Sequence, residues 1–457
     1  MSEPANLTVV PISETVECKD IRPVDLYAKI RNSTSFLLES AIFGEQIARY
    51  SFIGHSPVKV IETNSIEQLR ELLRFKVEHN RKLPPFFGGL VGYFPYEFVR
   101  NIEKIKGKKG NARMMLVKDL FVFDHFKDEI QLYSNAIGDE ETIGDEIKRS
   151  EKKIEELQKL IPEKRCAKRK CEKRTIKISS NFTKKSFEKA VEKVKEYIYA
   201  GDIFQCVISQ RFECNFDGDP FDVYLNLKMV NPSPYMYILE FKDKKIVGSS
   251  PEMLIKVQDK KVTVRPIAGT RRRGRDAIED EELSREMLND EKERAEHVML
   301  VDLGRNDIGK VCRFGTVKVT EFMRVERYSH VQHIVSNIEG SLDNRYDAFD
   351  AFASAFPAGT VTGAPKIRAM EIIDEVEKVE RDVYAGAIGY FSFNLNADFA
   401  IAIRTIVFED NKAYIQAGAG IVADSKPEME YYETINKGKA MIKAMVGEDE
   451  GPDNRQL

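Results

Sequence analysis

Apolar and polar positions in the second half of the chain follow two distinct periods. A two-residue alternation, typical of strands with one buried face, predicts strands in IFQCVISQRFECNF, YMYILEF, KIVGSSPEMLIKV, KKVTVRPIAGT, AGAIGYFSF, FAIAIRTIVF and AYIQAGAGIV. A helical period starts after Thr183, a favourable N-cap residue, and ends before Gly201. The apolar face of that helix comprises Phe187, Ala190, Val191, Val194, Tyr197 and Ile198.

Residues 1 to about 136 have a similar mixed character, with strand-like runs such as FFGGLVGYFPYEF and LFVFDHF. Long meanders of strands interrupted by helices are typical of antiparallel sheets. The pattern predicts an α+β fold, with large antiparallel β-sheet layers and helices packed outside them, and not a doubly wound sheet. GGLVGYF at Gly88 resembles AGAIGYF at Ala385, which indicates either two related β layers or simply two Gly-rich strands.

A change of composition divides the chain. The segment from Asp139 to Arg174 is dominated by Lys, Arg, Glu and Asp and ends in KRCAKRKCEKR. A basic run of this kind can bind nucleic acid or an anionic membrane, but beside the acidic EKKIEELQ it is typical of a solvated helix and linker. We therefore predict two regions, 1–174 and 175–450, joined by this charged segment.

The segment from Asp290 to Lys310 predicts one helix with an acidic edge. Glu293 and Glu296 are three residues apart, so a helix projects both carboxylates from the same face. Gly304 and Asn306-Asp307 predict the end of this helix. The apolar stripe that would seat it against a core consists of Val298, Leu300, Val301 and Leu303.

A second acidic pair, Glu430 and Glu433, repeats the same spacing near the C-terminus. Magnesium usually takes one or two carboxylates, keeps several waters and completes its octahedron with an anionic substrate, so one glutamate from each helix would suffice. Either pair alone is also typical of a solvated helix face in a chain that is 32% charged.

Two Gly-rich stretches offer backbone N–H groups to an anion. GTVTGAPK, from Gly359 to Lys366, opens a helical pattern, but it is not a Walker A loop because three residues instead of four separate its glycines. QAGAGIV, from Gln416 to Val422, ends a strand pattern, where absent side chains let a carboxylate approach the backbone closely. The spacing disfavours a nucleoside triphosphatase, and each stretch alone is also typical of an ordinary turn.

Composition narrows the class of protein. The 457 residues include 71 Lys and Arg against 74 Asp and Glu, and the net charge of −3 argues against nucleic acid as the main partner. No stretch reaches the ~20 apolar residues of a membrane span, and the first residues lack a signal-peptide pattern. Six cysteines without CxxC spacing predict reduced thiols and a cytoplasmic location. They are Cys18, Cys166, Cys171, Cys206, Cys214 and Cys312.

The order and spacing of many motifs resemble those of the chorismate-utilising enzymes. The similar segments span Phe182 to about Met445 and are GDIFQCVISQRF, NPSPYMY, GSSPEML, RPIAGTRRRG, KERAEHVMLVDLGRND, QHIVS, GTVTGAPKIRAM, YAGAIGYF, IAIRT, QAGAGIV and ETINK. Within that family the chain is most similar to the anthranilate synthase component I branch. Gln205 and Ala268 stand where sister branches carry a lysine that activates water or attacks the ring, so the resemblance implies external ammonia as the nucleophile.

The resemblance implies a magnesium-dependent lyase that converts chorismate and ammonia to anthranilate and pyruvate, the first step of tryptophan biosynthesis. It assigns Mg²⁺ to Glu296 and Glu433, with Glu293 and Glu430 acting through water. Glu252 in SSPEM matches the family's general acid, which protonates the leaving hydroxyl.

Further residues acquire roles by the same resemblance. His333 in QHIVS matches the histidine tied to the second step, in which pyruvate and a ring proton are lost, and Thr360 also belongs to the catalytic set. Tyr384 and Arg404 match residues that hold the enolpyruvyl carboxylate. Backbone N–H groups at that carboxylate come from Gly418, Ala419 and Gly420, and the rest of the substrate site comprises Gly269, Thr270 and Lys437.

The resemblance also implies regulation. LLES, from Leu37 to Ser40, and ARYSFIG, from Ala48 to Gly54, are similar to the family's feedback site for L-tryptophan. That site pairs Ser40 with Pro234, Tyr235 and Met236 of NPSPYM. Without the resemblance, LLES is simply a strand end and NPSPYM a rigid turn.

The family's amidotransferase chemistry needs a partner. The chain contains no GxCxGxQ nucleophile motif, so the resemblance implies ammonia use alone and glutamine use only with a separate amidotransferase subunit, usually in a heterotetramer. Two other interpretations stay open. One is a nucleic-acid-binding protein that uses KRCAKRKCEKR and RRRGR, the latter from Arg271 to Arg275, and the other is a regulatory, catalytically silent paralogue.

Overall fold

The structure, a computed structural model, describes residues 7–18, 20–40, 49–80, 82–165, 173–327 and 331–447. Cys166 and Cys171, in the middle of the basic run, lie outside the described residues, as does Ala48 of ARYSFIG. The described cysteines are buried free thiols, namely Cys18, Cys206, Cys214 and Cys312.

Strands make up the framework of the molecule. They are β1 (Thr8–Glu17), β2 (Ser35–Glu39), β3 (Tyr50–His55), β4 (Lys59–Thr63), β5 (Lys76–Val77), β6 (Gly89–Phe94), β7 (Ala112–Val117), β8 (Asp119–Asp124), β9 (Glu129–Gly138), β10 (Ser179–Ser180), β11 (Gln205–Asn215), β12 (Tyr235–Glu240), β13 (Lys244–Ser250), β14 (Met253–Gln258), β15 (Lys261–Val264), β16 (Ile267–Arg272), β17 (Lys318–Arg327), β18 (Val331–Ser341), β19 (Gly363–Ala364), β20 (Ala387–Ser392), β21 (Ala397–Ile401), β22 (Thr405–Glu409) and β23 (Lys412–Ile421).

Helices connect and cover these strands. They are α1 (Pro23–Ile30), α2 (Ile66–Glu71), α3 (Val99–Ile102), α4 (Ile143–Leu160), α5 (Lys184–Tyr199), α6 (Pro220–Val230), α7 (Ala277–Asn289), α8 (Glu291–Gly309), α9 (Ala348–Ala355), α10 (Lys366–Val376) and α11 (Pro427–Val446), with 3₁₀ turns at Tyr96–Phe98 and Gly359–Val361. Among the described helices, none has both the length and the apolar character that crossing a membrane requires.

The strands form two large sheets. One sheet has thirteen strands in the order β10-β11-β23-β22-β13-β12-β2-β3-β8-β9-β1-β5, with β19 beside β11. The other has ten in the order β16-β18-β15-β14-β21-β20-β6-β7-β4, with β17 beside β18. Among the described strands, only β1 and β5 pair in parallel. The predicted α+β fold with large antiparallel layers is confirmed.

Alternate strand positions bury two different cores. Phe36 and Tyr237 point into the largest apolar cluster, where they meet Phe94 and Phe391 from the other sheet. Leu37 and its alternate neighbours point to the opposite face of the thirteen-stranded sheet, which α4, α6 and α11 cover. The two-residue period therefore places one side chain between the sheets and the next beneath the helices.

Strands from both predicted regions enter both sheets. β2 pairs with β12 in the larger sheet, and β6 pairs with β20 in the smaller one. These last two strands carry the similar motifs GGLVGYF and AGAIGYF, and they lie side by side with Gly92 opposite Gly389. The boundary at 174 thus divides the sequence within shared sheets, and the division of function between the two regions stays a prediction.

Two predicted helices have different outcomes. The helix after Thr183 is confirmed as α5, because the Thr183 side chain accepts a hydrogen bond from the Ser186 N–H, and Gly201 has the expected positive φ of 84°. The predicted end of α8 at Gly304 is wrong, since the helix continues to Gly309. A Cβ at Gly304 would lie 2.9 Å from Cδ1 of Ile338. Glycine therefore lets α8 pack closely on β18 and does not terminate it.

The apolar stripe predicted for α8 is partly wrong as well. Leu300 and Val301 are buried, whereas the side chain of Val298 is 41% exposed. Asp290 caps the helix by accepting hydrogen bonds from the N–H groups of Lys292 and Glu293.

Candidate active site

A cavity of about 780 Å³ is lined by residues of both sheets and of the helices α8 and α11. Its volume lies in the range of small-molecule sites. The sequence-predicted catalytic, substrate and metal residues that line it are Glu252, Gly269, Thr270, Glu293, Glu296, His333, Thr360, Tyr384, Arg404, Gly418, Gly420, Glu430, Glu433 and Lys437. Residues from distant parts of the chain thus meet at one site, as the motif order predicted.

Two connections of the chain from one sheet to the other contribute to the lining of this cavity. Glu252 lies between β13 of the larger sheet and β14 of the smaller one, and Arg404 lies between β21 and β22. The connections are joined by backbone hydrogen bonds, from the N–H of Ile401 to the carbonyl of Glu252 at 3.0 Å and from the N–H of Ser249 to the carbonyl of Arg404 at 3.1 Å. This mutual support fixes both side chains relative to the sheets.

Glu252 is a buried carboxyl, only 7% exposed. Burial raises its pKa to about 7, while the nearby Thr360 hydroxyl and the charge of Lys437 lower it in part. Glu252 therefore exchanges a proton near neutral pH, which suits a general acid.

The two acidic pairs face each other from α8 and α11. Burial raises the pKa of Glu296, and the charges of Glu293 and Glu433 raise it further, which shows that carboxylates from both helices act on this group. Gln205 donates a hydrogen bond to Glu296 at 3.1 Å. Burial also raises the pKa of Glu430, and Glu433 adds to that effect.

Carboxylates of this kind are donors that a divalent cation accepts. Among the described residues, no three His, Cys, Asp or Glu side chains are grouped closely enough to hold a metal by themselves. Glu433 instead pairs with Lys437 at 2.6 Å, and Glu293 with Arg271 at 3.0 Å. Mg²⁺ commonly takes one or two carboxylates and fills its other positions with water and substrate oxygens. The mutual repulsion around Glu296 is what a bound cation would relieve.

His333 is oriented by β16. Its Nδ1 lies 2.9 Å from the carbonyl oxygen of Gly269 and 3.1 Å from the hydroxyl of Thr270. A carbonyl only accepts, so Nδ1 carries the proton, and the basic lone pair of the neutral ring is on Nε2. Burial lowers the pKa of His333. A shift in strand register between Ala268 and Arg271 accompanies this arrangement, and Gly269 there has a φ of +64°.

Tyr384 and Arg404 lie together on another wall. Burial raises the pKa of Tyr384 to about 12 and lowers that of Arg404, whose charge is in turn favoured by Glu433 and Tyr384. Arg404 has a φ of +51° and Ala385 a φ of +61°. Both residues hold an unfavourable backbone conformation, and such strain is concentrated at functional sites.

Glycines in β23 make room for this wall. A Cβ at Gly418 would lie 2.6 Å from the hydroxyl oxygen of Tyr384, and a Cβ at Gly420 would lie 2.6 Å from Nε2 of Gln205. Lys437 donates a hydrogen bond to the carbonyl oxygen of Gly418 at 3.0 Å. A Cβ at Gly418 would also lie 3.0 Å from the backbone carbonyl oxygen of Ile208, so close packing favours glycine there, whereas a Cβ at Gly420 would meet only the Gln205 side chain.

The strand register decides which backbone groups face the cavity. Ser209 lies opposite Gly418 but donates its N–H to Glu377, and Val207 lies opposite Gly420 but donates its N–H to Thr362. The N–H groups of the two glycines consequently point away from β11, since hydrogen-bonded and free pairs alternate. β22 pairs with β23 only as far as Ile415, which leaves that edge open.

Ala419 has a different environment from its neighbours. It pairs with Ile208 in the sheet, and its side chain belongs to the apolar cluster formed by α5, α10, β11 and β23. By the same alternation its N–H points toward β11 and away from the open edge.

The feedback motifs are also brought together. Glu39 pairs with Met236 across β2 and β12, so Ser40 follows directly beside Tyr235. The hydroxyl of Tyr235 donates a hydrogen bond to Asp398 at 3.0 Å. Pro234 is buried just before β12.

Two basic residues beside the acidic side chains of α8 were missed by sequence reasoning. Arg271, within the RRRGR run, donates hydrogen bonds to Glu286, Asp290 and Glu293. Lys292 lines the cavity and lowers the pKa of both Glu296 and Glu430. The signal in the sequence that could have identified Arg271 and Lys292 was their position close to the acidic helix segments.

Comparison with known proteins agrees with this site. The family model described as chorismate binding enzyme matches residues 34–443. The chain is 44% identical to anthranilate synthase component 1 of Acetivibrio thermocellus, over 96% of this chain and 95% of that protein. The structure is similar to anthranilate synthase component I of Streptococcus pneumoniae, with a TM-score of 0.76, 37% identity, and coverage of 93% of this chain and 98% of the other.

A further solved structure shares the fold. The menaquinone-specific isochorismate synthase of Escherichia coli matches with a TM-score of 0.77 at 19% identity, over 97% of this chain and 96% of that one. At that identity the likeness concerns the fold alone, whereas the matches above extend to the sequence of almost the whole chain. The chain therefore belongs to the chorismate-binding enzymes, in the group of anthranilate synthase component 1 proteins.

Proposed function

We propose that this protein converts chorismate and ammonia to anthranilate and pyruvate, as the synthase subunit for the first step of tryptophan biosynthesis. The observation that carries the proposal is a buried acid, Glu252, in the same cavity as two facing acidic pairs. Gln205 and Ala268 line that cavity where sister reactions need a lysine. With no amine at these positions, ammonia is the remaining nucleophile.

The acidic pairs would hold Mg²⁺ through Glu296 and Glu433, with Glu293 and Glu430 behind them. When bound, the ion supplies positive charge for the ring carboxylate of chorismate. Gln205 keeps the Glu296 carboxylate oriented by its hydrogen bond at 3.1 Å.

Glu252 is proposed to protonate the hydroxyl that leaves when ammonia adds to the ring. Hydroxide is a poor leaving group, so the step needs a proton donor. The raised pKa of about 7 keeps a large fraction of Glu252 protonated near neutral pH. The Thr360 hydroxyl is buried near this carboxyl without a hydrogen-bond partner among the described residues, so it is available to the anion that forms once the proton has left.

His333 is proposed to act when pyruvate and the ring proton are lost. Its Nδ1–H bond to Gly269 directs the Nε2 lone pair away from β16. The lowered pKa of His333 keeps the ring neutral, so Nε2 can accept a proton or orient the group that does.

The enolpyruvyl carboxylate is proposed to bind at the wall formed by Tyr384 and Arg404. The guanidinium fork matches a carboxylate, and the N–H groups of Gly418 and Gly420 point to the open edge of β23 beside it. Because the Ala419 amide points toward β11, we propose the two glycines alone as the backbone donors.

We further propose feedback inhibition by L-tryptophan at Ser40, Pro234, Tyr235 and Met236, and glutamine use through a separate amidotransferase subunit in a heterotetramer. Pairing of β2 with β12 supports the first proposal, because it joins the two motifs into one site. The second is supported by relatives that are named component 1, a name that implies a second component. We also propose a cytoplasmic location, which the buried free thiols support.

The decisive experiment incubates the purified chain with chorismate, Mg²⁺ and excess ammonium at alkaline pH and identifies the product by fluorescence and mass spectrometry. Anthranilate that disappears on chelation of Mg²⁺ is the expected result. A 4-amino product or isochorismate would show that the inference from Ala268 or Gln205 is wrong. Absence of turnover, with and without an amidotransferase subunit, would favour the silent paralogue.

A further inference from the structure

A buried ion pair lies behind the carboxylate-binding wall and outside the roles assigned above. Arg381 and Glu377 occupy the connection between α10 and β20, and their side chains are 1% and 3% exposed. Arg381 donates to Glu377 from Nε at 2.9 Å and from its terminal nitrogen at 2.6 Å. Two carbonyl acceptors complete the set, so four of the five guanidinium N–H groups are used.

These two carbonyls belong to different walls of the cavity. One is that of Val361, directly after Thr360 in the 3₁₀ turn, at 2.7 Å. The other is that of Val207 in β11, also at 2.7 Å. Val361 and Val207 both line the cavity, whereas Arg381 itself does not. One guanidinium therefore links the Thr360 turn to β11, in addition to the direct hydrogen bond from the Val207 N–H to the Thr362 carbonyl.

Arg381 also contacts the carboxylate-binding wall. Its guanidinium carbon lies 5.5 Å from the ring centroid of Tyr384, and on its other side 4.7 Å from that of Tyr96. The positive charge counteracts the rise of the Tyr384 pKa that burial causes. The ring of Tyr384 is thus packed against a fixed cation that has no access to solvent.

Glu377 extends the arrangement to β23. It accepts hydrogen bonds from the N–H and the hydroxyl of Ser209, at 2.7 and 2.9 Å. Ser209 lies opposite Gly418 and accepts a hydrogen bond from Gln416 at 2.8 Å. The register leaves the Ser209–Gly418 pair without hydrogen bonds across the strands, so the Gly418 N–H is directed to the open edge, and Glu377 satisfies the outward-pointing N–H of Ser209.

We propose that Arg381, held by Glu377, is a positioning residue that sets Thr360, Tyr384 and the Gly418 amide in register for chorismate without touching it. The proposal rests on the proposed function of the same cavity. Its substance is that one buried pair braces the Thr360 turn and β11 directly, and β23 through Ser209.

The test compares Arg381→Lys with a matched control, Arg100→Lys. Arg100 is also a buried arginine, 7% exposed at the side chain, and it binds Asp374 at 2.6 Å and two carbonyls at 3.1 Å. The partners of Arg100 lie outside the cavity lining. Lysine keeps the charge in both variants but cannot reproduce the planar fork.

Arg381→Lys should lower kcat/KM for chorismate about 10²-fold, the usual effect of a small misplacement of a binding or catalytic group. Arg100→Lys should leave kcat/KM within about twofold, the result expected when a buried ion pair supports only the fold. The melting temperature of each variant is measured as well. It distinguishes displacement of the cavity residues in a folded protein from destabilisation of the whole protein. A fall in kcat/KM of equal size in both variants would overturn the proposal.

A pH profile gives a readout that a purely structural role would not move. Thr360 lowers the pKa of Glu252, so displacement of Thr360 should raise that pKa and shift the alkaline limb of kcat upward. Each rate is divided by the concentration of unprotonated ammonia, because that concentration itself changes with pH. Thr360→Val should shift the alkaline limb in the same direction as Arg381→Lys does. The double variant that carries both substitutions should show no larger shift than Thr360→Val alone. An alkaline limb unchanged in Arg381→Lys would contradict the proposed positioning of Thr360.

Calorimetric titration with chorismate and Mg²⁺ separates this proposal from the proposed function. If the wild type binds chorismate but makes no anthranilate, the reaction assignment fails, while an affinity about tenfold weaker in Arg381→Lys than in Arg100→Lys still supports positioning. Equal chorismate affinities in the two variants would refute it, whatever the product.

Discussion

Replacement of Glu252 by glutamine is expected to stabilise the folded protein while it removes most of the activity. Burial raises the pKa of this carboxyl from 4.5 to about 7. A pKa difference of one corresponds to about 1.4 kcal/mol, so the ionised side chain costs the folded state about 3 kcal/mol above pH 7. Glutamine has nearly the same shape and cannot ionise, so the variant avoids this cost.

The pH dependence follows from the sign of the shift. A carboxyl with a higher pKa in the folded than in the unfolded state binds its proton more tightly when folded. The wild type therefore loses this stability as the pH rises from about 4.5 to about 7, and Glu252→Gln does not. The free energies of unfolding should nearly coincide near pH 4.5, and the variant should be more stable by about 3 kcal/mol at pH 8.

Urea unfolding followed by circular dichroism at both pH values measures this difference, because the chain contains no tryptophan to report on the transition. Glu151→Gln, at an exposed position on α4, serves as the control and should show no such pH-dependent gain.

In the same preparations, kcat of Glu252→Gln should fall about 10²- to 10⁴-fold, the contribution of a positioned general acid, with chorismate binding largely retained. Near-normal turnover would refute the acid assignment. A variant no more stable than wild type at pH 8 would refute the inferred cost of burial.

Three further outcomes are expected. His333→Met should let the aminated intermediate accumulate in a chromatographic time course, and anthranilate alone at the normal rate would contradict the role of this histidine. Gly418→Ala should weaken chorismate binding at least tenfold, because its Cβ would lie 2.6 Å from the Tyr384 hydroxyl, whereas Gly438→Ala, whose nearest contact is 3.5 Å, should bind normally. L-Tryptophan should raise the apparent KM for chorismate in the wild type but much less in Ser40→Leu, and kinetics unaltered by saturating tryptophan would dismiss the feedback site.

The sequence was sufficient where an inference depended on residue type in a fixed order. The period of two predicted antiparallel strands, and Thr183 predicted the start of α5. Motif order placed Glu252, His333 and Arg404 in one cavity although about 150 residues separate the first from the last. Each of these inferences rests on local chemistry or on a family pattern, and none of them requires knowledge of tertiary contacts.

The sequence was insufficient where a tertiary contact overrides a local preference. Gly304 resembles a helix terminator, but its missing Cβ serves close packing of α8 on Ile338. Arg271 belongs to a basic run that looks solvated, yet it pairs with three acidic side chains of α7 and α8. Arg381 carries no motif signal because its contacts are with carbonyls that are distant in sequence.

The β12–β13 hairpin joins the candidate inhibitor site to the proposed acid. Tyr235, beside Ser40, lies opposite Ser250 in this hairpin, and Ser250 is followed two residues later by Glu252. We expect a ligand that changes the position of β12 against β2 to act on the end of β13 as well, because β12 and β13 share one ladder of hydrogen bonds. The ligand would change only the populations of the two positions of β12. The size of that change is limited by the difference in the ligand's affinity for the two positions. The short path explains how inhibition could raise the apparent KM for chorismate without any overlap between inhibitor and substrate.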